Sequence, residues 1–217
     1  EDSNLYQVVV FSEGEVEAIT QIDIDGVDET DEKFDGLITK WTRLGKDSQE
    51  HISGFTAEAP GWTSNHRGAG LCYGAFKFSK DSDVFPRIPV ITAVIKGRKV
   101  LDPRDGTVAW SDNPALCILD YLKNERFGKG LADDEIDLDS FISAANYYDQ
   151  LIDGNKRFTL NGYVKTDQTI LENLDEMLTS CNSVLTFYNG KHRLKPMKVE
   201  DRKSTRLNSS HDQISYA

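Results

Sequence analysis

The sequence predicts an α+β fold, rich in β-structure, and three observations predict it. Strand-length apolar runs fill the first half, where no helical periodicity persists over three turns. Segments with apolar residues at helical spacing fill the second half. Near the end, Asn189-Gly190 separates two alternating runs. Asn-Gly supplies the two positive φ values of a type I′ turn, so a β-hairpin is expected there.

Residues 5–12 and 19–24 read as strands, the second alternating up to a turn at Asp25-Gly26. Residues 38–44, around Trp41, form the third strand. A polar stretch over 45–59, then Pro60-Gly61-Trp62 and Gly68-Ala69-Gly70, reads as loop. Residues 71–78 and 90–95 are the next strands, the latter ended by Lys96-Gly97. The character changes at 110–114, where Asn113 before Pro114 fits an N-cap followed by proline at the first helical position. Ala115, Leu116, Leu119 and Leu122 follow at helical spacing, until Phe127-Gly128-Lys129-Gly130 stops the element. A second helix starts near Asp139 and carries Phe141, Ala144, Ala145, Tyr148 and Ile152 on one face. After a short strand over 157–164, Asp167 caps a third helix with Leu171, Leu174, Met177, Leu178 and Cys181 aligned. The hairpin of 184–188 and 191–195 closes the pattern. The expected domains are a β-rich segment over 1–110 and a smaller α+β segment over 111–200. In the latter, three apolar helix faces cover a small sheet.

The chain has 217 residues and a net charge of −11, with 36 Asp and Glu against 25 Lys and Arg. Its length is ample for a hydrophobic core, and its 10 Phe, 8 Tyr and 3 Trp are more aromatics than a disordered chain carries. No apolar run approaches the roughly 18 to 20 residues of a membrane-spanning helix. The acidic balance argues against nucleic acid or an anionic membrane as the main partner, since both repel it. Cys72, Cys117 and Cys181 are widely spaced, with no CxxC pair, and read as buried thiols of a reducing compartment.

Several constellations suggest chemistry, and each has a plainer reading. The acidic run over 133–139 would need Gly at its sixth position and Glu at its twelfth to be a calcium loop, but it has Leu138 and Ala144 there. It fits better as a solvated loop favouring the N-terminus of the second helix. Asp23, Asp25 and Asp28 surround a turn. Glu13, Glu15 and Glu17 read as the wet side of an edge strand rather than a glycosidase carboxylate pair. His66 and Cys72 are not a hydrolase pair on spacing alone. His51, His66 and His192 are too few for an obvious zinc site. The glycine-rich stretch over 68–74 misses the dinucleotide fingerprint by one residue. Trp41, Trp62 and Trp110 are candidate packing anchors with the core as their expected home. No catalytic, cofactor-binding or metal-binding residue is assigned.

Residues 201–217 match the in-frame translation of a common short-read sequencing adapter, with index codons at Asp212-Gln213. They are expected to be a disordered tail of adapter origin, so Arg202, Lys203, Arg206 and His211 are given no role. Without them the net charge is −12. The chain opens on Glu1-Asp2-Ser3 with no Met and no leader, and reads as an internal piece of a longer frame.

One long stretch, residues 97–130 (GRKVLDPRDGTVAWSDNPALCILDYLKNERFGKG), resembles a hallmark of the tip attachment (J-type) proteins, or central tail hubs, of lambda-like long-tailed phages. Residues 6–19 (YQVVVFSEGEVEAI), 60–71 (PGWTSNHRGAGL) and 136–146 (IDLDSFISAAN) are similar to the same family, in family order, so the likeness covers 5–198. The family more often has an aromatic at the position of Leu101 and a Cys at that of Tyr148. The resemblance implies a structural, non-enzymatic virion protein without cofactors. It would be a homotrimer at the tail tip, assembled in the bacterial cytoplasm. It would cap the tube, contact other tip and tube proteins, and reach the host receptor through a C-terminal region absent here. A spike of a contractile secretion apparatus is the alternative, ahead of a tail-borne cell-wall hydrolase.

Overall fold

The computed structural model describes residues 4–198, so the adapter-like residues 201–217 lie outside it. The described chain is α+β and β-rich, as its sequence pattern predicts. It divides into two compact units between Ser111 and Asp112.

The first unit contains β1 (Asn4–Glu13), β2 (Val16–Ile24), β3 (Val27–Asp28), β4 (Ile38–Leu44), α1 (Ser53–Glu58), β5 (Leu71–Ser79), β6 (Ile91–Leu101) and β7 (Val108–Trp110). Two antiparallel sheets form, in the orders β1-β5-β4 and β3-β2-β6-β7. Strand β5 is central and covered on both faces, which explains its near-continuous apolar run. Phe76 and Phe78 meet Ile22, Ile24 and Ile91 of the other sheet. Tyr73 and Ala75 point the opposite way, onto Ile52, Phe55 and Ala59 around α1. The β2–β3 turn is as expected: Asp25 and Gly26 have φ of 50° and 79°, as a type I′ turn requires.

Two expectations for this unit change. Lys96-Gly97 does not end a strand. The ladder with β2 continues through Ala18↔Lys96 and Val16↔Arg98, and β7 then pairs beyond it. Gly97 needs no positive φ, and a strand passes through it once both neighbours are hydrogen-bonded. The loop over 45–59 also contains the short helix α1, too brief to show a periodicity.

The second unit contains α2 (Pro114–Lys123), α3 (Leu138–Tyr148), the two-residue strands β8 (Leu151–Ile152) and β9 (Asn155–Lys156), α4 (Ile170–Ser180), β10 (Ser183–Tyr188) and β11 (Lys191–Pro196). Asn113 caps α2 as expected, accepting from the Ala115 N–H at 3.0 Å, with Pro114 in the first turn. Leu116, Leu119 and Leu122 are buried along α2, and Phe141, Ala144, Ala145 and Tyr148 along α3. The β10–β11 turn has Asn189 at φ 51° and Gly190 at 76°.

Four details of this unit differ from the sequence reading. Ile152 leaves the α3 face and lies in the exposed β8, because α3 ends at Tyr148. Residues 157–164 are no strand. Their amides are taken one at a time by Gln150, Tyr148 and Asp112 carbonyls, so no ladder forms. Thr169, not Asp167, caps α4, since Glu172 three residues on completes a capping box. Leu171, 76% exposed, is off the buried face, and Asn173 is buried instead, bonding Lys165 N–H and C=O. In addition, Cys117 is only partly buried, whereas Cys72 and Cys181 are fully so.

Candidate functional site

Each carboxylate cluster singled out in the sequence serves the local backbone or a nearby cation. In the acidic run, Asp133 lies 2.7 Å from Lys123, whose hydrogen bond and charge hold its carboxyl below the ordinary range. Glu135 accepts from the Ala132 N–H, and Asp137 caps α3 while bonding Arg193 at 2.6 Å. Asp25 accepts from the Val90 N–H at 3.1 Å and from Arg87 at 3.3 Å. Asp23 accepts from Gln21, and Asp28 from Thr30, whose bonds lower its carboxyl. Glu15 and Glu17 share the Lys99 ammonium, at 3.5 and 3.4 Å. Among the described residues, no three His, Cys, Asp or Glu side chains come close enough to hold a metal ion.

The histidines are dispersed. His66 is exposed, and its Nδ1 accepts from the Thr63 N–H at 2.9 Å while its ring stacks on Trp62. His51 offers its carbonyl to Arg43. His192 has Nε2 3.0 Å from Lys129 Nζ, and burial, then Lys129, lower its pKa. Cys72 is fully buried in β5, with no hydrogen bond to His66 among the described residues. The three tryptophans are half-buried rather than core: Trp41 and Trp62 stand edge-on to Phe55, and Trp110 lies beneath the Lys96 ammonium.

Burial pushes the Cys72 thiol up to about 11 and, with Asp120 and Asp112 nearby, the Cys117 thiol to about 12. Burial likewise raises Tyr73, Tyr121 and Tyr148. The folded protein therefore holds protons that the unfolded chain releases, so stability falls as pH rises from about 9 through these values. The urea midpoint is expected to drop between about pH 9 and pH 11. A thiol reagent should reach Cys72 only on unfolding, since the side chain is fully buried and burial disfavours its thiolate.

Sequence reasoning missed Gln49. Its buried amide accepts from the Gly45 N–H at 3.0 Å and donates to the carbonyls of Gly68, Arg67 (3.3 Å) and Leu71 (3.0 Å). One side chain thus ties the loop after β4 to the glycine-rich segment that enters β5. A single Gln in a polar run carries no signal for this. Gln49→Ala is expected to cost about 1–3 kcal/mol by leaving buried backbone groups unpaired, measured as a lower urea midpoint.

Some large apolar side chains remain exposed. Leu101 and Val108 are directly paired across β6 and β7, and both are exposed. Phe187 and Tyr188 are exposed at the end of β10. No helix is long and apolar enough to cross a membrane among the described residues. Comparison with known protein families matched no family model, and comparison with curated proteins matched none of them.

Proposed function

We propose that the chain is part of a central tail hub, the tip attachment protein of a lambda-like long-tailed phage. It is a structural component that caps the tail tube and links it to the parts that recognise the host. The observation that carries this reading is the family-like run over 97–130. Its residues fit the elements they form. Asp102 and Arg104 pair at 2.6 Å in the β6–β7 turn, Asn113 and Pro114 start α2, and Gly128 lets the chain fold back on the helix end. The exposed Leu101↔Val108 pair supports a surface meant for neighbouring proteins.

In this reading the chain works as a homotrimer at the virion tail tip, against other tip and tube proteins, without a cofactor and without catalysis. Its net charge of −12 over residues 1–200 would repel DNA passing through the tip. Long-read sequencing through codon 200 and the flanking genes tests the reading. Tape-measure and tail-tube genes beside the frame are the expected result. Secretion-apparatus genes would favour the spike alternative, and neither set would remove the hub.

A further inference from the structure

The β10–β11 hairpin has two edges, and they are treated differently. With a two-residue loop, Tyr188↔Lys191 is a hydrogen-bonded pair, and so are Thr186↔Arg193 and Val184↔Lys195. The backbone groups of Leu185 and Phe187 on β10, and of His192 and Leu194 on β11, then point outward. On the β11 side two of them are taken: the Asp137 N–H donates to the His192 carbonyl at 2.9 Å, and the Leu194 N–H donates to Ser140 Oγ at 3.1 Å. On the β10 side, no partner for the Leu185 or Phe187 backbone exists among the described residues. At this edge Phe187 is 65% exposed and Tyr188 69%. An open, aromatic strand edge is a template for another strand.

The charges choose the occupant. The face shared by Val184 and Tyr188 continues onto β11 as Lys191 and Lys195, both exposed and without an ion pair among the described residues. A strand added beside β10 would run about two strand spacings, about 10 Å, from these lysines, which is within reach of their stems and near the screening length at about 0.1 M salt. Among the described residues, this chain's own long edge strands do not supply an alternating acidic partner, and the edge strand β3, with Asp28, is only two residues long. β1 carries one carboxylate, Glu13, and β4 carries Lys40 and Arg43 with none.

We propose that the outer edge of β10 takes an extended acidic strand of another protein by strand addition. The Leu185 and Phe187 backbone would complete the ladder, Phe187 would flank the apolar side chains on one face, and on the other face, beside Tyr188, Lys191 and Lys195 would attract the acidic ones. This does not depend on the tail-hub reading, and the experiment below can succeed where the sequencing of the locus fails.

The full chain, labelled with ¹⁵N, is titrated with a synthetic peptide of alternating Val and Glu. Two control peptides alternate Val and Lys, or carry N-methyl groups on every second amide of the Val/Glu sequence. Saturable binding of the Val/Glu peptide is expected, with amide shifts centred on Leu185 and Phe187. Binding should weaken about tenfold on N-methylation, as expected for losing one or two hydrogen bonds, and should weaken for the Val/Lys peptide and in high salt. Phe187→Ser, at an exposed position and without added charge, should also weaken it while leaving the circular dichroism unchanged. Absent binding of the Val/Glu peptide, equal binding of the N-methylated form, or shifts confined elsewhere would overturn the proposal. So would self-association of the chain that Phe187→Ser abolishes.

Discussion

Gly128→Ala is expected to destabilise the second unit by about 3 kcal/mol or more, since an added methyl has nowhere to go without backbone movement. Helix α2 ends at Lys123, and Asn124 gathers the following chain with its side chain, accepting from the Arg126 and Phe127 N–H groups at 2.9 and 2.8 Å. The Gly128 and Gly130 amides then donate to the Asn124 carbonyl, and Leu131 donates to Leu122. This fold-back lays Gly128 against the last turn of the helix. A Cβ there would sit 1.6 Å from the Tyr121 carbonyl oxygen, a backbone atom that no rotamer change can move. Thermal unfolding followed by circular dichroism should show a loss of roughly 10 °C or more. Gly162→Ala is the control, because its Cβ would meet nothing within 4 Å. Equal melting temperatures for the two variants would show that the fold-back is not as described.

Phe55→Ala should cost the first unit about 3–5 kcal/mol, the range for removing a large buried aromatic. Phe55 lies at the centre of the layer between α1 and the β1-β5-β4 sheet and is 2% exposed. Its ring stands edge-to-face with Tyr6, Trp41 and Trp62, at 5.8, 5.7 and 5.7 Å. Edge-to-face contacts add to the burial term, and three of them converge on one ring. The variant should lose urea stability together with the near-ultraviolet signal of both tryptophans. Phe55→Leu, which keeps most of the volume, should lose less than half as much. If Phe55→Ala unfolds at the same urea concentration as the parent, α1 is not packed on β5.

These residues also mark where the sequence is legible and where it is not. Asn113-Pro114, Asp25-Gly26 and Asn189-Gly190 announce a cap and two turns because the chemistry is complete within a few residues. The α2 and α3 faces are legible because the stripe repeats over whole turns. Gly97 misleads because the same residue ends one strand and passes through another, and only the partner strands decide. Residues 157–164 have strand-like composition, yet a ladder needs a partner at matching register and none is placed there. Asp167 and Thr169 are both capable caps. Glu172 selects Thr169 by bonding back to its N–H at 2.7 Å.

The candidate sites follow the same division. The Asp and Glu clusters are visible in sequence as charge, but their use is visible only in space. Lys123, Arg193 and Lys99 come from other elements and take up Asp133, Asp137 and the Glu15–Glu17 pair. The Gln49 tie and the open β10 edge have no sequence signature. One depends on three carbonyls near Gly68, the other on which side of a hairpin a neighbouring helix covers.

The central claim, a structural role at a phage tail tip, is tested most directly by locating the chain on a particle. Antibodies raised against the purified chain are applied to phages induced from cells carrying the locus, and gold labels are viewed in negative stain. Labels at the distal end of the tail are the result this account predicts. Particles unlabelled at the tip, with the chain found instead in the cell envelope, would contradict it.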